Sequence, residues 1–485
     1  MINKTTLNKI KEIVGSKNYF DSHAYLLSYS YDATPLIHQK PDAVVFPNNV
    51  EEISKIVRLA NEYKFAIVPR GSGTGLSGGS VPIEDSIILV TSHWNKILEF
   101  DEKNFTVLVE PGVITANLQS YVEDRNLFYP PDPGSSSIST LGGNVAENAG
   151  GLRGLKYGVT KNYVLGLEVV LPTGEIIFTG GKSIKDVAGY NLKDYFIGSE
   201  GTLGIFSKLL LKLIPLPESK KTILVEFSTI EDAINSINEI ILSRITPSML
   251  EFIDKLTLQC IEAYAKLGFS NSVETVILIE VDGNKFYVEE SCEKIKEIVL
   301  KNNSLSFQIS KDTAEELKLK KARKIAFSSL ARVKPTAISE DVVVPRSELL
   351  KMVTQINSIS KKHDVQIGTF GHAGDGNLHP IVLCDERDTK NLNNALRAVN
   401  DIFDASINLG GTITGEHGVG IAKREYLTKQ ISNPGIEMMR KIKKSIDPNS
   451  VLNPGKIFDL KPKCEGKLPS NQKQVEEYLA KDLWI

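Results

Sequence analysis

The chain has 485 residues, too many for one ordinary hydrophobic core, so two or three domains are expected. Its hydrophobic content of 41% and charged content of 24% are typical of a soluble globular protein. Because 57 Lys and Arg residues nearly balance 59 Asp and Glu residues, the composition gives no electrostatic reason to bind nucleic acid or an acidic membrane.

The four cysteines are scattered and form no CxxC pair. This pattern indicates a reducing compartment and argues against a disulfide framework or an iron–sulfur cluster in this chain. The N-terminal residues lack the apolar core and cleavage site of a signal peptide, and no apolar run reaches the roughly 18 to 20 residues that span a bilayer. We therefore expect a cytoplasmic protein, and its peripheral association with the inner face of the membrane remains open.

From residue 48 the pattern alternates between helix and strand. Asn48 or Asn49 is a candidate cap for a helix with apolar residues at helical spacing, and the apolar run 65–68 predicts a strand. Further strands are predicted over residues 86–90 and 106–110, followed by another helix. This alternation favours a mixed domain of helices and strands.

A glycine-rich loop, PRGSGTGLSGGS, occupies residues 69–80 directly after the predicted strand 65–68. Such a loop turns tightly and presents bare backbone NH groups, which is how proteins cradle a pyrophosphate without a lysine. A Walker loop would end in Gly-Lys-Ser/Thr, and a Rossmann fingerprint would open a helix at its last glycine, which Pro82 prevents. A flexible surface loop remains the alternative.

Residues 129–151 contain three prolines and five glycines and interrupt the alternation. We expect an irregular segment that binds a ligand or a partner surface, since long irregular segments are rarely ordered otherwise. A disordered linker is the alternative, and it would leave Leu141, Val145 and Leu152 in water. After this segment, a pair of strands is expected to close on the turn 172–174.

Pro215 and Pro217, followed by charged residues, mark the clearest domain boundary. Beyond them, strands are predicted over residues 223–227, 276–281, 305–309, 341–344 and 365–370, and helices over residues 230–242, 287–300, 313–331 and 347–360. This order favours an antiparallel sheet with helices on one face, a ferredoxin-like α+β arrangement.

The most informative polar residues lie in the last quarter of the chain. His372 and His379 flank the Gly-Asp-Gly-Asn turn 374–377, which would bring both imidazoles to one point. Glu416 and His417 follow in the sequence GEHGVG. Two histidines and a carboxylate are common ligands of a divalent ion such as zinc, with one position left for substrate. The alternative is a pair of turn histidines that hydrogen-bond to backbone.

Taken together, the glycine-rich stretches resemble one family in their order and spacing. Besides residues 69–80 and 129–151, the motifs are GYNLKDYFIGSEGTLGI, GHAGDGNLH, GEHGVG and LNPGK. They resemble the FAD-binding type 4 family, also called the vanillyl-alcohol oxidase superfamily. Within that family they are most similar to the FAD-linked 2-hydroxyacid dehydrogenases, over roughly residues 38 to 460.

The resemblance implies an α+β protein with a two-subdomain FAD-binding domain of the PCMH type (the p-cresol methylhydroxylase type), a ferredoxin-like antiparallel α+β cap domain and a C-terminal helical segment. The implied parts are an N-terminal helical segment over residues 1–37, the FAD-binding domain over 38–217, the substrate or cap domain over 218–410, a segment returning to the flavin over 411–460 and a tail over 461–485. In the tail, VEEYLAKDLWI is expected to form a docking helix.

The resemblance also implies FAD, bound non-covalently because the glycine loop has no histidine and the cysteines lie outside the flavin segments. Residues 142–144 are expected near the isoalloxazine and the pyrophosphate, and residues 198–201 form a second backbone nest. Asn453 would contact the ring, with an ordinary Asn-Pro turn as the alternative. The implied FAD-binding residues are Pro69, Arg70, Gly71, Ser72, Gly73, Thr74, Gly75, Leu76, Pro131, Gly134, Ser135, Gly142, Gly143, Asn144, Gly198, Glu200, Gly201, Gly204, Ile205 and Asn453.

For catalysis, the resemblance assigns His372, His379 and Glu416 to a divalent metal, with zinc favoured and manganese or iron as alternatives. His417 is the implied base for the substrate hydroxyl proton, while the C2 hydride passes to flavin N5. Adjacent residues on extended backbone point to opposite sides, so Glu416 would bind metal while His417 faces the reacting carbon. Arg323 would bind the substrate carboxylate, unless it lies on a solvated charged face.

Two departures from the 2-hydroxyglutarate dehydrogenases favour a smaller acid. Positions that hold asparagine and lysine in those enzymes are Ile381 and Ser339 here, which favours D-lactate or glycolate. A 2-hydroxyglutarate-type reaction and another alcohol oxidation of the superfamily, such as that of a sugar, are alternatives. Electrons would pass to a quinone, a cytochrome or an iron–sulfur partner subunit. A subunit that only relays electrons, and a homodimer, remain open.

Overall fold

The structure is a computed structural model, and it describes residues 1–458. The α-helices of these residues are α1 Lys4–Val14, α2 His23–Ser28, α3 Val50–Tyr63, α4 Thr115–Glu123, α5 Leu141–Glu147, α6 Gly154–Tyr157, α7 Leu192–Phe196, α8 Ile230–Leu242, α9 Lys255–Ala265, α10 Lys285–Lys301, α11 Thr313–Leu330, α12 Leu349–His363, α13 Thr389–Asn408, α14 Leu427–Gln430 and α15 Asn433–Ile446. In this part of the chain we find no helix whose length and apolarity would let it cross a bilayer. The docking helix expected over residues 475–485 lies outside the described residues.

The first sheet carries the glycine-rich loop. Its strands are β1 Tyr19–Phe20, β2 Ala43–Val45, β3 Ala66–Arg70 and β4 Ser86–Val90, in the spatial order β1-β2-β4-β3. Strands β2 and β3 both run parallel to β4, and the loop of residues 71–80 follows the end of β3. Helix α3 begins after Asn49, whose side chain accepts the backbone NH of Glu52. The predicted alternation of strand and helix is therefore confirmed here.

The second sheet is antiparallel, in the order β5-β6-β10-β8-β9. Its strands are β5 Ile97–Asp101, β6 Thr106–Val109, β8 Val164–Val170, β9 Ile176–Gly180 and β10 Ile205–Lys212, while β7 Leu127–Phe128 pairs separately with β11 Ile214–Pro215. The predicted hairpin is formed by β8 and β9, and its turn contains Gly174 with a φ of 83°. Helices α4 and α5 pack on this sheet.

One expectation about the segment 129–151 is wrong. Its residues 141–147 form helix α5, in which the side chain of Thr140 accepts the backbone NH of Gly143. Leu141 and Val145 lie one turn apart and are fully buried against the second sheet. Burial of this apolar pair stabilises a short helix in spite of two consecutive glycines.

The third sheet forms the centre of the second half of the chain. Its strands are β12 Ser219–Phe227, β13 Met249–Asp254, β14 Thr275–Gly283, β15 Ser306–Ile309, β16 Thr336–Ser339, β17 Val342–Val343, β18 Gln366–His372 and β19 Asn377–Cys384. They follow the order β15-β12-β14-β13-β18-β19-β16, with β17 beside β19, and each pairing is antiparallel. The expectation of an antiparallel α+β cap is confirmed, although β13, β16, β19, α9 and α13 were not predicted.

Helices cover both faces of the third sheet, so the expectation of helices on one face is wrong. Helices α8, α10, α12 and α13 pack on the face that carries Val225 and Ile277. Helices α9 and α11 pack on the opposite face, which carries Leu224 and Leu278. Because both faces are apolar, the central strands lack the alternation of a half-buried sheet.

The chain returns to the first sheet near its described end. Leu452 forms a parallel bridge with Ile67 of β3, and the backbone NH of Asn453 donates to the carbonyl of Ile67 at 2.8 Å. Residues 451–453 thus lie beside the strand that leads into the glycine-rich loop.

Candidate active site

The hairpin of β18 and β19 brings the two histidines together. In its register His372 pairs with Asn377 and Phe370 pairs with His379, so both imidazoles extend from the same face of the sheet. The two Nε2 atoms lie 3.4 Å apart. The predicted turn over residues 374–377 therefore folds the chain back as expected.

Glu416 completes a compact triangle with these histidines. Its Oε1 lies 3.4 Å from Nε2 of His372 and 3.3 Å from Nε2 of His379. Three corners of a tetrahedron around an ion with bonds of about 2.05 Å are separated by about 3.3 Å, and such bonds are those of zinc to nitrogen and oxygen. The three implied ligand atoms thus have the spacing that a tetrahedral ion requires.

A buried carboxylate lies on the far side of each imidazole, and that of Glu251 is hydrogen-bonded to it. Oε1 of Glu251 lies 2.6 Å from Nδ1 of His372, and Oδ1 of Asp341 lies 3.8 Å from Nδ1 of His379. Both carboxylates have side chains that are fully buried. The Glu251 carboxylate keeps the proton on Nδ1 of His372 and directs the lone pair of its Nε2 towards a shared ion, an arrangement common behind metal-binding histidines, whereas Nδ1 of His379 has no hydrogen-bond partner among residues 1–458. The structure also groups Asp341 with His379 and His417 as a second potential ligand set.

Asp341 also holds the turn that carries Glu416 and His417. Its Oδ2 accepts the backbone NH groups of Gly415, Glu416 and His417 at 2.8, 2.9 and 2.9 Å. The Thr414 hydroxyl donates to the same oxygen at 2.8 Å. Three consecutive NH groups that converge on one oxygen require a bent backbone, as in an anion-binding nest.

Because of this bend, the expectation that Glu416 and His417 point to opposite sides is wrong. The imidazole of His417 stacks on that of His379 with centroids 5.1 Å apart, and its Nε2 lies 3.7 Å from Oε1 of Glu416. Both side chains therefore reach the same cluster. His417 is a neighbour of the three implied ligand atoms and not a residue on the other side of the chain.

The charges around the cluster favour a bound cation. Burial lowers the pKa of His417 to about 4, so its imidazole is neutral near pH 7. Although burial acts in the opposite direction, the charge of Glu251 raises the pKa of His372 well above its usual range. A protonated His372 would compensate the charge of Glu416, whose ion-pair partners among residues 1–458 are all histidines. A divalent ion at the shared point would do the same.

Arg323 lies beside this cluster and not on a solvated face. It extends from α11, its Nε donates to Glu251, and its guanidinium lies 4.5 Å from the ring centroid of Phe370. The side chain is only 16% exposed. Its terminal nitrogens have no hydrogen-bond partner among residues 1–458, so they are available for a carboxylate.

The implied FAD-binding segments converge around the glycine-rich loop. Asn453 donates from Nδ2 to the carbonyl of Gly79 at 2.9 Å and to that of Glu200 at 2.7 Å. Pro69 and Arg70 end β3, and the Arg70 guanidinium lies against Gly73 and donates to the carbonyl of Tyr31. Pro131, Gly134 and Ser135 precede α5, Gly142, Gly143 and Asn144 lie in it, and Gly198, Gly201, Gly204 and Ile205 lead into β10.

Several buried polar atoms in these segments have no partner among residues 1–458. They are Oγ of Ser77, Oγ of Ser80, Oε2 of Glu147, the Tyr129 hydroxyl and Oδ1 of Asn453. Buried polar groups are nearly always hydrogen-bonded in native proteins. A cofactor rich in hydrogen-bonding groups fits this set, whereas an apolar ligand would leave it unsatisfied.

The histidine cluster lies directly against one of these segments. A Cβ added to Gly150 would lie 2.8 Å from Oε2 of Glu416, and one added to Gly154 would lie 2.9 Å from Oδ2 of Asp375. Between them is a cavity of about 190 Å³, lined in part by His372 and by these four residues. The cavity therefore joins the segment 129–151 to the polar cluster of the third sheet.

Gly142 is required by close packing at the start of α5. Its NH donates to the carbonyl of Pro111 at 2.7 Å, and an added Cβ would lie 2.6 Å from Cβ of Pro111. We expect Gly142→Ala to lower the free energy of unfolding by about 1–3 kcal/mol, the usual range for overpacking. Denaturant unfolding measures this change. Gly181→Ala is the matched control because its Cβ would meet nothing within 4 Å, and equal midpoints for the two variants would contradict the expectation.

Each half of the chain matches a known protein family. Residues 41–180 match the family described as FAD binding domain, and residues 216–457 match the family described as FAD linked oxidases, C-terminal domain.

Curated relatives align over nearly the whole chain. Glycolate oxidase subunit GlcD of Bacillus subtilis is 51% identical over 458 residues, which cover 94% of this chain and 97% of the relative. The protein of the same name from Escherichia coli K12 is 32% identical, with coverages of 95% and 92%. D-lactate dehydrogenase of Anaerostipes hadrus is 35% identical, with coverages of 86% and 90%.

Solved structures support the architecture. p-Cresol methylhydroxylase superposes with a TM-score of 0.80 at 17% identity, covering 95% of this chain and 98% of that one. Alkyldihydroxyacetonephosphate synthase gives a TM-score of 0.73 at 20% identity, covering 93% and 84%. At these identities the likeness concerns the fold alone, and it confirms the predicted PCMH-type architecture.

Proposed function

The chain belongs to the family of FAD-linked oxidases and is an FAD-linked oxidoreductase, and on this basis we propose that it oxidises a D-2-hydroxy acid, D-lactate or glycolate, to the 2-oxo acid. The observation that carries this proposal is the position of the histidine cluster. A Cβ added to Gly150 would lie 2.8 Å from Oε2 and 3.3 Å from Cβ of Glu416, so the cluster lies beside the implied flavin segment. The names of the relatives from Bacillus subtilis and Anaerostipes hadrus agree with an acid of this class.

The reaction removes a hydride from C2 and a proton from the hydroxyl group. FAD, held non-covalently by the converging segments, would supply a two-electron acceptor for the hydride. A divalent ion held by His372, His379 and Glu416 would supply a Lewis acid for the substrate oxygen, with zinc favoured and manganese or iron as alternatives. His417 is neutral and accepts the hydroxyl proton at Nε2, the nitrogen that lies nearer the cluster.

Arg323 is proposed to bind the substrate carboxylate through its terminal nitrogens. We expect Arg323→Ala to raise KM about 10- to 150-fold, the equivalent of a charge-assisted hydrogen bond of about 1.5–3 kcal/mol. Steady-state kinetics with the acid measure this change, and metal analysis checks that the variant binds as much metal as the wild-type protein. Lys324→Ala, which removes the same charge from an exposed neighbour, is the matched control. Identical KM values for the two variants would refute the role of Arg323.

The substrate side of the cluster favours a small acid. Ser339 pairs with Ile381, which lies two residues beyond His379 on the same face and is fully buried. An apolar side chain here offers no partner to a second carboxylate. The cavity of about 190 Å³ also suits a small acid better than a large one. We therefore favour lactate or glycolate over 2-hydroxyglutarate.

The test is anaerobic mixing of the isolated chain with D- and L-lactate, glycolate and D-2-hydroxyglutarate. We expect flavin absorbance to bleach with D-lactate or glycolate and not with L-lactate. A chain that stays yellow with every acid would refute the proposal and favour a subunit that only relays electrons.

The electron acceptor would be a quinone, a cytochrome or an iron–sulfur partner. The relatives from Bacillus subtilis and Escherichia coli K12 are named as subunits of glycolate oxidase, which supports a partner subunit.

A further inference from the structure

Glu147 ends helix α5 with a carboxylate enclosed between two glycines. A Cβ added to Gly79 would lie 2.9 Å from its Oε1, and one added to Gly418 would collide with its Oε2. Oε2 is shielded from solvent and has no hydrogen-bond partner among residues 1–458. This acid therefore lies between the glycine-rich loop and the turn that follows His417, and the reaction described above gives it no role.

Glu200 lies beside Glu147 and is the better stabilised of the two acids. Its Oε1 is 3.0 Å from the Cβ position of Gly418, so it shares the space next to Glu147. It accepts the backbone NH groups of Val419 and Gly420, each at 2.7 Å. Glu147 receives no comparable donor within the described part of the chain. Of the two, Glu200 is thus the carboxylate whose negative charge is solvated by the protein.

When one of two adjacent buried carboxylic acids is ionised, the other keeps its proton, and here that other acid is Glu147. Burial raises the pKa of both groups, and the charge of Glu200 raises that of Glu147 further, well above its usual range. Asp32, which also lies near, acts in the same direction on Glu147. A neutral carboxylic acid has one O–H group that requires an acceptor.

Other unsatisfied atoms surround the same space. Oγ of Ser77 is completely buried, and Asn453 is 1% exposed with an unpartnered Oδ1. Asn453 is fixed there because its Nδ2 donates to the carbonyls of Gly79 and Glu200. A ligand that satisfies this set must carry both donors and acceptors on a compact framework. The pyrimidine half of a flavin, with two carbonyl groups and one NH, has this chemistry.

We propose that Glu147 is a neutral acid that donates its O–H to a carbonyl oxygen of the isoalloxazine ring and stabilises the negative charge that the ring gains on reduction. The inference rests on the proposed function, since it requires FAD in these segments. Hydrogen bonds to an ionised acceptor are roughly twice as strong as those between neutral groups. The O–H of Glu147 therefore binds reduced flavin more strongly than oxidised flavin, and only such a difference shifts the equilibrium.

The midpoint potential of the bound flavin tests this role. In Glu147→Ala we expect the equilibrium constant for reduction to fall about tenfold, which is about 30 mV for a two-electron couple. Glu147→Gln keeps a donor of similar size and should restore most of this loss. Glu84→Ala removes an exposed acid from the same half of the chain and should leave the potential unchanged. An unchanged potential in Glu147→Ala, or an equal fall in both variants at position 147, would overturn the inference.

The infrared difference spectrum between reduced and oxidised protein gives a second readout that does not need the alanine variant to fold. A protonated carboxyl group that touches the flavin produces a band that shifts on reduction. This band should be present in the wild-type protein and absent from Glu147→Gln. If the spectra coincide, the inference is refuted while the proposed function stands. A wild-type chain that binds no FAD would instead refute the proposed function.

Discussion

Replacing His417 with alanine is expected to slow reduction of the flavin by the hydroxy acid about 10²- to 10⁴-fold, while FAD remains bound. Loss of a positioned general base has effects of this size. The imidazole is neutral because burial lowers its pKa to about 4, so an unprotonated ring nitrogen is present at any pH near neutrality. Its Nε2 lies 3.7 Å from Oε1 of Glu416, so it would lie next to the proposed substrate hydroxyl without being one of the three implied ligands.

Anaerobic stopped-flow absorbance measures the rate at which the flavin bleaches, and metal analysis measures the bound ion. His417→Ala should retain the metal of the wild-type protein, because His372, His379 and Glu416 are unchanged. His93→Ala, which removes an exposed imidazole bonded to the carbonyl of Pro47, is the matched control and should bleach at the wild-type rate. Wild-type bleaching in His417→Ala would refute its role as base. Loss of metal from this variant would indicate that His417 is a metal ligand and not the base.

Local patterns in the sequence were sufficient for elements with a clear periodicity. Helix α8 occupies residues 230–242 as predicted, because its apolar residues recur at helical spacing after a Thr229 cap. The return of the chain after β18 was predicted from the turn 374–377 alone. In each case the residues that decide the conformation are neighbours in the sequence.

Elements decided by distant residues were not predicted. Strand β13 lies in the middle of the third sheet with both faces buried, so its sequence MLEFID lacks the alternation that marks a half-buried strand. It carries Glu251, which reaches His372 across 121 residues of sequence. An acid inside an apolar run was the one available signal, because a buried carboxylate requires a partner.

The same limit applies to Asp341. Its three backbone donors at residues 415–417 lie more than 70 residues further along the chain. Without that oxygen the turn has no reason to bend, and extended backbone was the natural expectation for Glu416 and His417. The error about their directions thus follows from one missing contact. The ligand types were predictable from composition and resemblance, but the carboxylates that orient them were not.

Removal of the metal is expected to abolish turnover while the flavin stays bound, and the variants should form a graded series. His379→Ala removes one of three implied ligands, and we expect a loss of 10³-fold or more, since Lewis acid stabilisation is worth several kcal/mol and each 1.36 kcal/mol is tenfold. Asp341→Asn removes only the negative charge of the side chain that lies near His379 and accepts the backbone NH groups of the turn 415–417. We expect this variant to lose about 10- to 100-fold in activity.

Chelation followed by dialysis, with turnover and metal content measured before and after, tests the first expectation, and return of zinc or manganese should restore activity.

The graded series of variants distinguishes a role of the cluster in metal binding from damage to the fold. If the cluster only stabilised the sheet, the variants would lose stability in proportion to activity, whereas a metal role predicts that His379→Ala loses activity while its unfolding midpoint changes little. A chelated chain that turns over at the original rate would refute the metal. The reaction would then resemble a flavin-linked alcohol oxidation that uses no ion, and the close spacing of His372, His379 and Glu416 would need another explanation.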